Sequence, residues 1–212
     1  VSENMSRLVN NLIQKGYLKS DRIIDAFWEI DRVDFLPEHL QHTADADIPL
    51  PIGFGQTISQ PMTVAFILEL LQPNKGENIL DVGSGSGWVS ALLSYIVGSK
   101  GRVTSIEIIP ELLEYGKQNV NKYKFVDKGI AEFHVGDGSF GYKPNVPYDK
   151  IIVSASGEEI PTALKDQLKI GGTIVMPVHN SIWYIEKKDA QHFRKEEFPG
   201  FVFVPMITRG IS

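Results

Sequence analysis

The sequence predicts an α/β fold, a mostly parallel sheet with helices on both faces, preceded by an N-terminal helical cap. Three observations predict it. From Asn78 onward, short apolar runs alternate with helix-period patterns, the texture of βα units that cover a parallel sheet on both sides. The first of these runs passes straight into a helix through Gly83-Ser84-Gly85-Ser86-Gly87, where glycines let the backbone bend sharply and let a ligand approach it. Three successive strand ends then carry acidic or glycine-rich residues, and the carboxyl edge of an open α/β sheet is where ligands bind.

The elements follow in order. Met5, Leu8, Val9, Leu12 and Ile13 share one face of a helix that ends near Gly16. Ser20 or Asp21 caps a second helix with Ile23, Ile24, Phe27 and Trp28 on one face. Residues 44–60, with Pro49, Pro51, Gly53 and Gly55, are too punctuated for a helix or a central strand. They are expected to form a long loop, and long ordered loops are disproportionately functional. Pro61 opens the next helix, whose nearly all-apolar run Met62 to Leu71 must be buried.

In the alternating region, strands are expected over 78–82, 102–107, 131–135, 150–154 and 173–178, with helices over 88–97, 111–123 and 161–168. Two further strands, 181–187 and 201–205, have no helix between them and suit an antiparallel hairpin at one edge.

At about 150 residues per domain, 212 residues make one domain with an extension. We divide it into a cap and loop (1–74), an α/β core (75–178) and edge strands (179–212). With 42% hydrophobic residues the chain builds a real core, which excludes disorder as the main state. Twenty-one basic against 26 acidic residues give a net charge of −5, which weighs against a protein held to nucleic acid by phosphate charge. The absence of cysteine excludes disulfides, thiolate catalysis and sulfur-ligated metals, and fits a cytoplasmic setting. No run reaches the ~18 apolar residues of a membrane span, and Val1 to Asn11 hold no signal-peptide core, so a soluble protein is expected. The five histidines show no metal-ligand spacing, and no metal is expected.

The glycine turn narrows the ligand. A dinucleotide fingerprint needs glycine at position 88, where the chain has Trp88, and no lysine followed by serine or threonine closes a phosphate cradle. Asp81, just before the turn, is a poor neighbour for phosphate and a good one for a cation. S-adenosylmethionine, with an α-ammonium, a sulfonium and no phosphate, fits Asp81, Gly83, Ser84, Gly85 and Gly87. The next strand ends in Glu107, 20 residues past Gly87, where a carboxylate accepts ribose hydroxyls. The third ends in Gly136-Asp137-Gly138. There Asp137 and Gly138 suit an adenine amino group, although such an aspartate also serves as a plain turn former.

Gly53-Phe54-Gly55-Gln56-Thr57-Ile58-Ser59-Gln60-Pro61 resembles the signature loop of protein-L-isoaspartate O-methyltransferases, which methylate isoaspartyl carboxylates from S-adenosylmethionine. The likeness spans nearly the whole chain. It takes in 32–37, 81–87, 136–138, Pro147-Tyr148-Asp149, 167–172 and Phe203-Val204-Pro205. It implies a class I S-adenosylmethionine-dependent methyltransferase fold, Rossmann-like, and isoaspartyl peptides and proteins as partners, with no nucleic acid or membrane. It also implies Ser59 as catalytic residue, and Gln56, Thr57 and Ile58, with Ile108 beside Glu107, around the cofactor. Thr57, Val153 and Ser154 would then join Ser59 on the substrate side. Gly157 and Glu158 stand where the family has alanine and proline, and His179 follows where a glycine is usual. These departures border the peptide side. They keep open a cofactor-binding protein that has lost isoaspartyl activity or methylates another acceptor.

The chemistry suits the residues. A carboxylate with a pKa of about 4 is already ionised at neutral pH and needs no general base to attack a methyl sulfonium. The two ions lose charge together, so a dry, aligned site is the requirement. Ser59 offers a neutral donor to one carboxylate oxygen; it also stands where it would cap the helix from Pro61, whose free amides would help hold an anion.

Overall fold

In the computed structural model, which describes residues 3–208 and side chains from Arg7 onward, a seven-stranded sheet carries a helical cap on one face. Helices α1 (Glu3–Gln14) and α2 (Asp21–Glu29) bury Leu8, Val9 and Leu12, and Ile23 and Phe27. Met5 belongs to α1, but its side chain lies outside the described ones. Ser20 occupies the N-cap position of α2 without capping it. Its hydroxyl donates instead to Glu69 at 2.7 Å, and the Lys19 and Ser20 amides donate to the same carboxylate at 2.8 Å. The start of α2 is thereby tied to α3 (Pro61–Leu71), which buries Val64, Ala65, Ile67, Leu68 and Leu71 as its apolar run requires.

Residues 44–60 are more ordered than expected. They contain a small hairpin, β1 (Leu50–Gly53) and β2 (Gln56–Ile58), closed by Phe54 and Gly55, both at positive φ. Two successive left-handed residues are what a type I′ hairpin turn needs. Two strands of four and three residues carried too short a pattern to be read from sequence.

The main sheet runs β5-β4-β3-β6-β7-β8-β9. Strands β3 (Asn78–Val82), β4 (Arg102–Glu107), β5 (Ala131–Val135), β6 (Tyr148–Val153) and β7 (Leu168–Val178) are parallel to one another; β8 (Ser181–Lys187) pairs antiparallel with β7, and β9 (Phe193–Pro199) antiparallel with β8. After β3 the chain builds outward through β4 and β5, then returns to the other side of β3 as β6. The order reverses there, and a crevice opens at the carboxyl ends of the strands. Helices α4 (Trp88–Val97) and α5 (Pro110–Asn121) pack with α1, α2 and α3 in the core on one face; α6 (Thr162–Gln167) packs on the other.

The last strand is not where the sequence suggests. β9 occupies Phe193–Pro199, whereas 201–205 is irregular apart from one bridge between Pro205 and Ser156. β9 reads Arg194-Lys195-Glu196-Glu197 between two phenylalanines, the charged texture of a solvent-facing edge strand, which hides the apolar alternation. Gly200, at φ +98°, ends it, and the Gly200 and Phe201 amides donate to Asn180. Among the described residues no helix is long and apolar enough to cross a membrane.

Candidate active site

A cleft lies at the carboxyl ends of β3, β4 and β6, under the 44–60 segment. The glycine turn forms its floor: the Gly83 and Ser84 amides donate to the Ile106 carbonyl at 2.8 and 3.1 Å, which lays the turn against β4. Gly83, Gly85 and Gly87 all have positive φ. A side chain on Gly85 would begin 3.2 Å from the Ile52 Cδ1 of the hairpin above it.

Most of the residues expected at the site line this cleft. Gln56, Thr57, Ile58 and Ser59 come from the hairpin side, Gly83, Ser84 and Gly85 from the turn, and Glu107, Ile108, Gly138 and Ser154 from the other strand ends. Glu107 is the one ionisable side chain among the described residues that line it. Its Oε1 accepts from the Ile108 and Ile109 amides at 2.8 and 3.1 Å, and its Oε2 accepts from the Gly85 amide at 3.0 Å. A carboxylate has about four acceptor positions; three are used to fix its orientation, which leaves acceptor capacity toward the cleft.

Four expected residues do not line it. Asp81 is fully buried, because in β3 Leu80 and Val82 face one side and Asp81 the other, under α4. Its Oδ2 accepts from the Ser90 hydroxyl at 2.5 Å, which accepts in turn from Ser105 at 3.0 Å, while Oδ1 has no hydrogen-bond partner among the described residues. Burial pushes the Asp81 carboxyl up to about 7; the Ser90 hydroxyl lowers it, and the Glu107 charge raises it further. Gly87 serves helix packing: a Cβ there would lie 2.7 Å from the Gly116 carbonyl of α5. Asp137 caps the short turn that follows it, accepting from the Ser139 amide at 3.0 Å and hydroxyl at 2.7 Å. Val153 is wholly in the core, with Ser154 beyond it at the cleft.

Ser59 is half-buried, and its hydroxyl makes no hydrogen bond among the described residues. The cap of α3 is elsewhere. Gln60 holds the N-cap position, and the Met62 amide donates to Asp47 Oδ1 at 2.8 Å, so that helix amide is not free for an anion. Sequence reasoning allowed Ser59 to be cap, donor or both; with Gln60 at the N-cap position, Ser59 does not cap α3.

Sequence reasoning missed several contributors. The apolar wall includes Ile52, Trp88 and Val89, and the 204–207 tail, held beside Ser156 by the Ser156 amide on the Val204 carbonyl and the Met206 amide on the Ser156 carbonyl, both at 2.8 Å. Asn119 of α5 donates to the Ser86 carbonyl at 3.1 Å and braces the glycine turn from behind. The signal for this brace was a lone Gly116 inside a helix, the mark of a close backbone approach.

The cleft therefore offers hydroxyls, backbone amides and apolar side chains around a single fixed carboxylate. The buried Ser84 hydroxyl, which has no hydrogen-bond partner among the described residues, and the side-chain-free floor at Gly83 and Gly85 are what an adenosyl cofactor lying along the main chain requires. Among the described residues no cluster of three or more His, Asp or Glu side chains is placed to hold a metal ion.

Comparison with known proteins agrees with this geometry. The family model described as "Protein-L-isoaspartate(D-aspartate) O-methyltransferase" matches residues 3–210. The protein-L-isoaspartate O-methyltransferase of Methanopyrus kandleri is 42% identical over 205 residues, 95% of this chain and 90% of that one. That of Ignicoccus hospitalis is 41% identical over 212 residues, covering 98% and 99%. A solved protein-L-isoaspartate O-methyltransferase superposes with a TM-score of 0.85 at 30% identity, over 95% of this chain and 65% of that one. A Plasmodium falciparum protein assigned to the same activity and solved with S-adenosyl-L-homocysteine has a TM-score of 0.87 over 98% and 100%; at 22% identity it is a likeness of fold.

Proposed function

The chain belongs to the protein-L-isoaspartate(D-aspartate) O-methyltransferase family, and we propose that its cleft does the family's work with Ser59 as the hydroxyl that holds the substrate carboxylate. The protein is an S-adenosylmethionine-dependent carboxyl methyltransferase, and its acceptor is the free carboxylate of L-isoaspartyl residues in damaged proteins and peptides. One observation carries the assignment of roles: Ser59 and the glycine turn, 24 residues apart in sequence, line the same cleft with a free hydroxyl on one wall and Glu107 on the other.

Bound S-adenosylmethionine supplies a methyl group made electrophilic by its sulfonium. The chain supplies the rest. The main chain at Gly83 and Gly85, the Ser84 hydroxyl and the open acceptor position of Glu107 would hold the adenosyl portion, with Ile108 and Gly138 beside it. Thr57 and Ser154 would border the substrate, and Ser59 would donate one hydrogen bond to one carboxylate oxygen while the other stays free to attack. A single neutral donor orients the anion without quenching it, whereas a lysine or arginine there would hold it in its resting state. Ile52, Trp88 and the 204–207 tail exclude water, which is what a charge-neutralising transfer needs. A cytoplasmic setting, in keeping with a chain without cysteine, is part of the same proposal.

The test is a methyl-acceptor assay on two versions of one peptide, isoaspartyl and normal aspartyl. Base-labile methyl esters on the isoaspartyl version alone are expected. Labelled methyl found instead on RNA or a small molecule, with both peptides unmodified, would reassign the substrate.

A further inference from the structure

Arg32 is the second-largest of the wholly buried side chains, and nothing in the chemistry above uses it. It is not paired with a carboxylate in the usual way. Nη1 donates to the carbonyls of Ala44 at 3.1 Å and Ala46 at 2.9 Å, and Nη2 to those of Ile48 at 2.8 Å and Ser59 at 3.2 Å. The guanidinium thus gathers four backbone acceptors from two stretches of chain and closes 44–48 against the residue whose hydroxyl faces the cleft. On its other side it lies 5.4 Å from the ring centre of Trp88, a cleft wall. Neighbouring bonds repeat the pattern: the Gln60 side chain donates to the Asp47 carbonyl at 2.9 Å, and Asp47 accepts from the Met62 amide.

The turn that carries Arg32 (residues 32–35) is itself anchored. Asp31 accepts from the Val33 amide, and the Tyr123 hydroxyl just beyond α5 accepts from the Asp31 amide at 3.0 Å and donates to Asp34 at 2.6 Å. Because α5 also braces the glycine turn through Gly116 and Asn119, cofactor floor and serine segment are referenced to one helix.

We infer that Arg32 is the positioning residue of the reaction, holding the Ser59 main chain so that its hydroxyl stands at a fixed place over the cofactor floor. The inference rests on the reading of Ser59 as the substrate-facing donor. The four Nη–H donors of a planar fork match four carbonyls spread around it, with Nε left without a partner among the described residues; an ammonium has the charge but only three donors at one point. Each carbonyl left unpaired in the interior seeks water and loosens the segment that carries it. The guanidinium keeps its charge at neutral pH: burial lowers it, the Asp47 charge opposes that, and it stays at about 10.

The test compares wild type with Arg32→Lys and, as a second variant, Arg32→Gln. Backbone amides of 50–62 should exchange with deuterium at least tenfold faster in the variants, with 78–87 unchanged and S-adenosyl-L-homocysteine affinity within threefold. In methyl transfer, kcat should fall at least tenfold with KM for the cofactor kept. In a Ser59→Ala background the same Arg32 substitution should cost less than a further threefold. Unchanged exchange over 50–62, or a loss that multiplies in full with that of Ser59→Ala, would overturn the inference, as would failure of both variants to fold, which would make Arg32 a core residue only. Absence of isoaspartyl methylation by the wild type would overturn the substrate reading instead, and the exchange arm would still decide the role of Arg32.

Discussion

If Ser59 holds the substrate carboxylate as proposed, its one hydroxyl separates binding from turnover. It makes no hydrogen bond among the described residues, so its removal leaves the fold intact, and it lies across the cleft from the glycine turn. Ser59→Ala should therefore bind S-adenosyl-L-homocysteine as wild type does while kcat on an isoaspartyl peptide falls at least about tenfold, the scale of losing one ~1.4 kcal/mol hydrogen bond to a charged group. Unchanged kcat would remove Ser59 from the reaction. Asp81 makes the opposite case, an expected cofactor ligand that the structure places under α4. Its folded pKa of about 7 lies above the unfolded value of 3.8, so the folded state binds the proton more tightly. The stability linked to Asp81 is then full below about pH 4, declines as the pH rises through the interval to 7, and is flat above it. Asp81→Asn cannot ionise. Measured by urea unfolding, the variant should gain on wild type between pH 5 and 7 by roughly 2–3 kcal/mol, at up to ~1.4 kcal/mol per pH unit; a pH-independent difference would mean that Asp81 is not held neutral.

Among the elements, the contact between the glycine turn and α5 shows what glycine spacing does beyond ligand binding. A Cβ on Gly116 would lie 2.6 Å from the Gly85 carbonyl and 3.2 Å from the Gly87 nitrogen, all backbone atoms that cannot swing aside. Gly116→Ala should cost about 1–3 kcal/mol of stability by overpacking. Because the displaced carbonyl belongs to the cofactor turn, S-adenosyl-L-homocysteine should also bind more weakly in calorimetry; full affinity would show that α5 supports the fold alone. These elements also show what a sequence displays. β3, β4 and α4 match their expected bounds residue for residue, since glycines at 76, 83, 87, 98 and 101 punctuate the chain beside them and a helix sunk in the core writes a nearly continuous apolar run. β9, one face to solvent, and the β1–β2 hairpin, a few residues long, write little. At the site, the glycine turn and Glu107 could be placed at the cleft because strand ends mark it locally, and the serine loop because it resembles a family signature; all three line the cleft. The direction of Asp81 was not, since it depends on which face of β3 packs under α4. Nor was the work of Arg32, whose four partners lie 12 to 27 residues away.

For the molecule as a whole, the question is whether cap and sheet melt as one body. Leu8, Val9 and Leu12 of α1 belong to the same buried cluster as Ile79, Val103, Ile152 and Val175 of the sheet. Phe27 of α2 meets Trp88 of α4 edge-on at 5.6 Å. Phe66 of α3 contacts Phe198 of β9 and Phe201 beyond it, at 5.4 and 5.0 Å. With apolar contacts at three places along the chain, neither part keeps a covered core without the other, so a single cooperative transition is expected. The cleft lies where the two parts meet, with Ser59 on one side and the glycine turn on the other, so a ligand there stabilises both. At a hundredfold excess over its Kd, S-adenosyl-L-homocysteine should add about 2.7 kcal/mol. At ~2–4 °C per kcal/mol for a chain of this size, the whole transition should rise by about 5–10 °C. Scanning calorimetry with and without the ligand reads this directly. Two transitions, of which only the later one moved, would show that the cap is a separate folding unit resting on a self-sufficient cofactor domain.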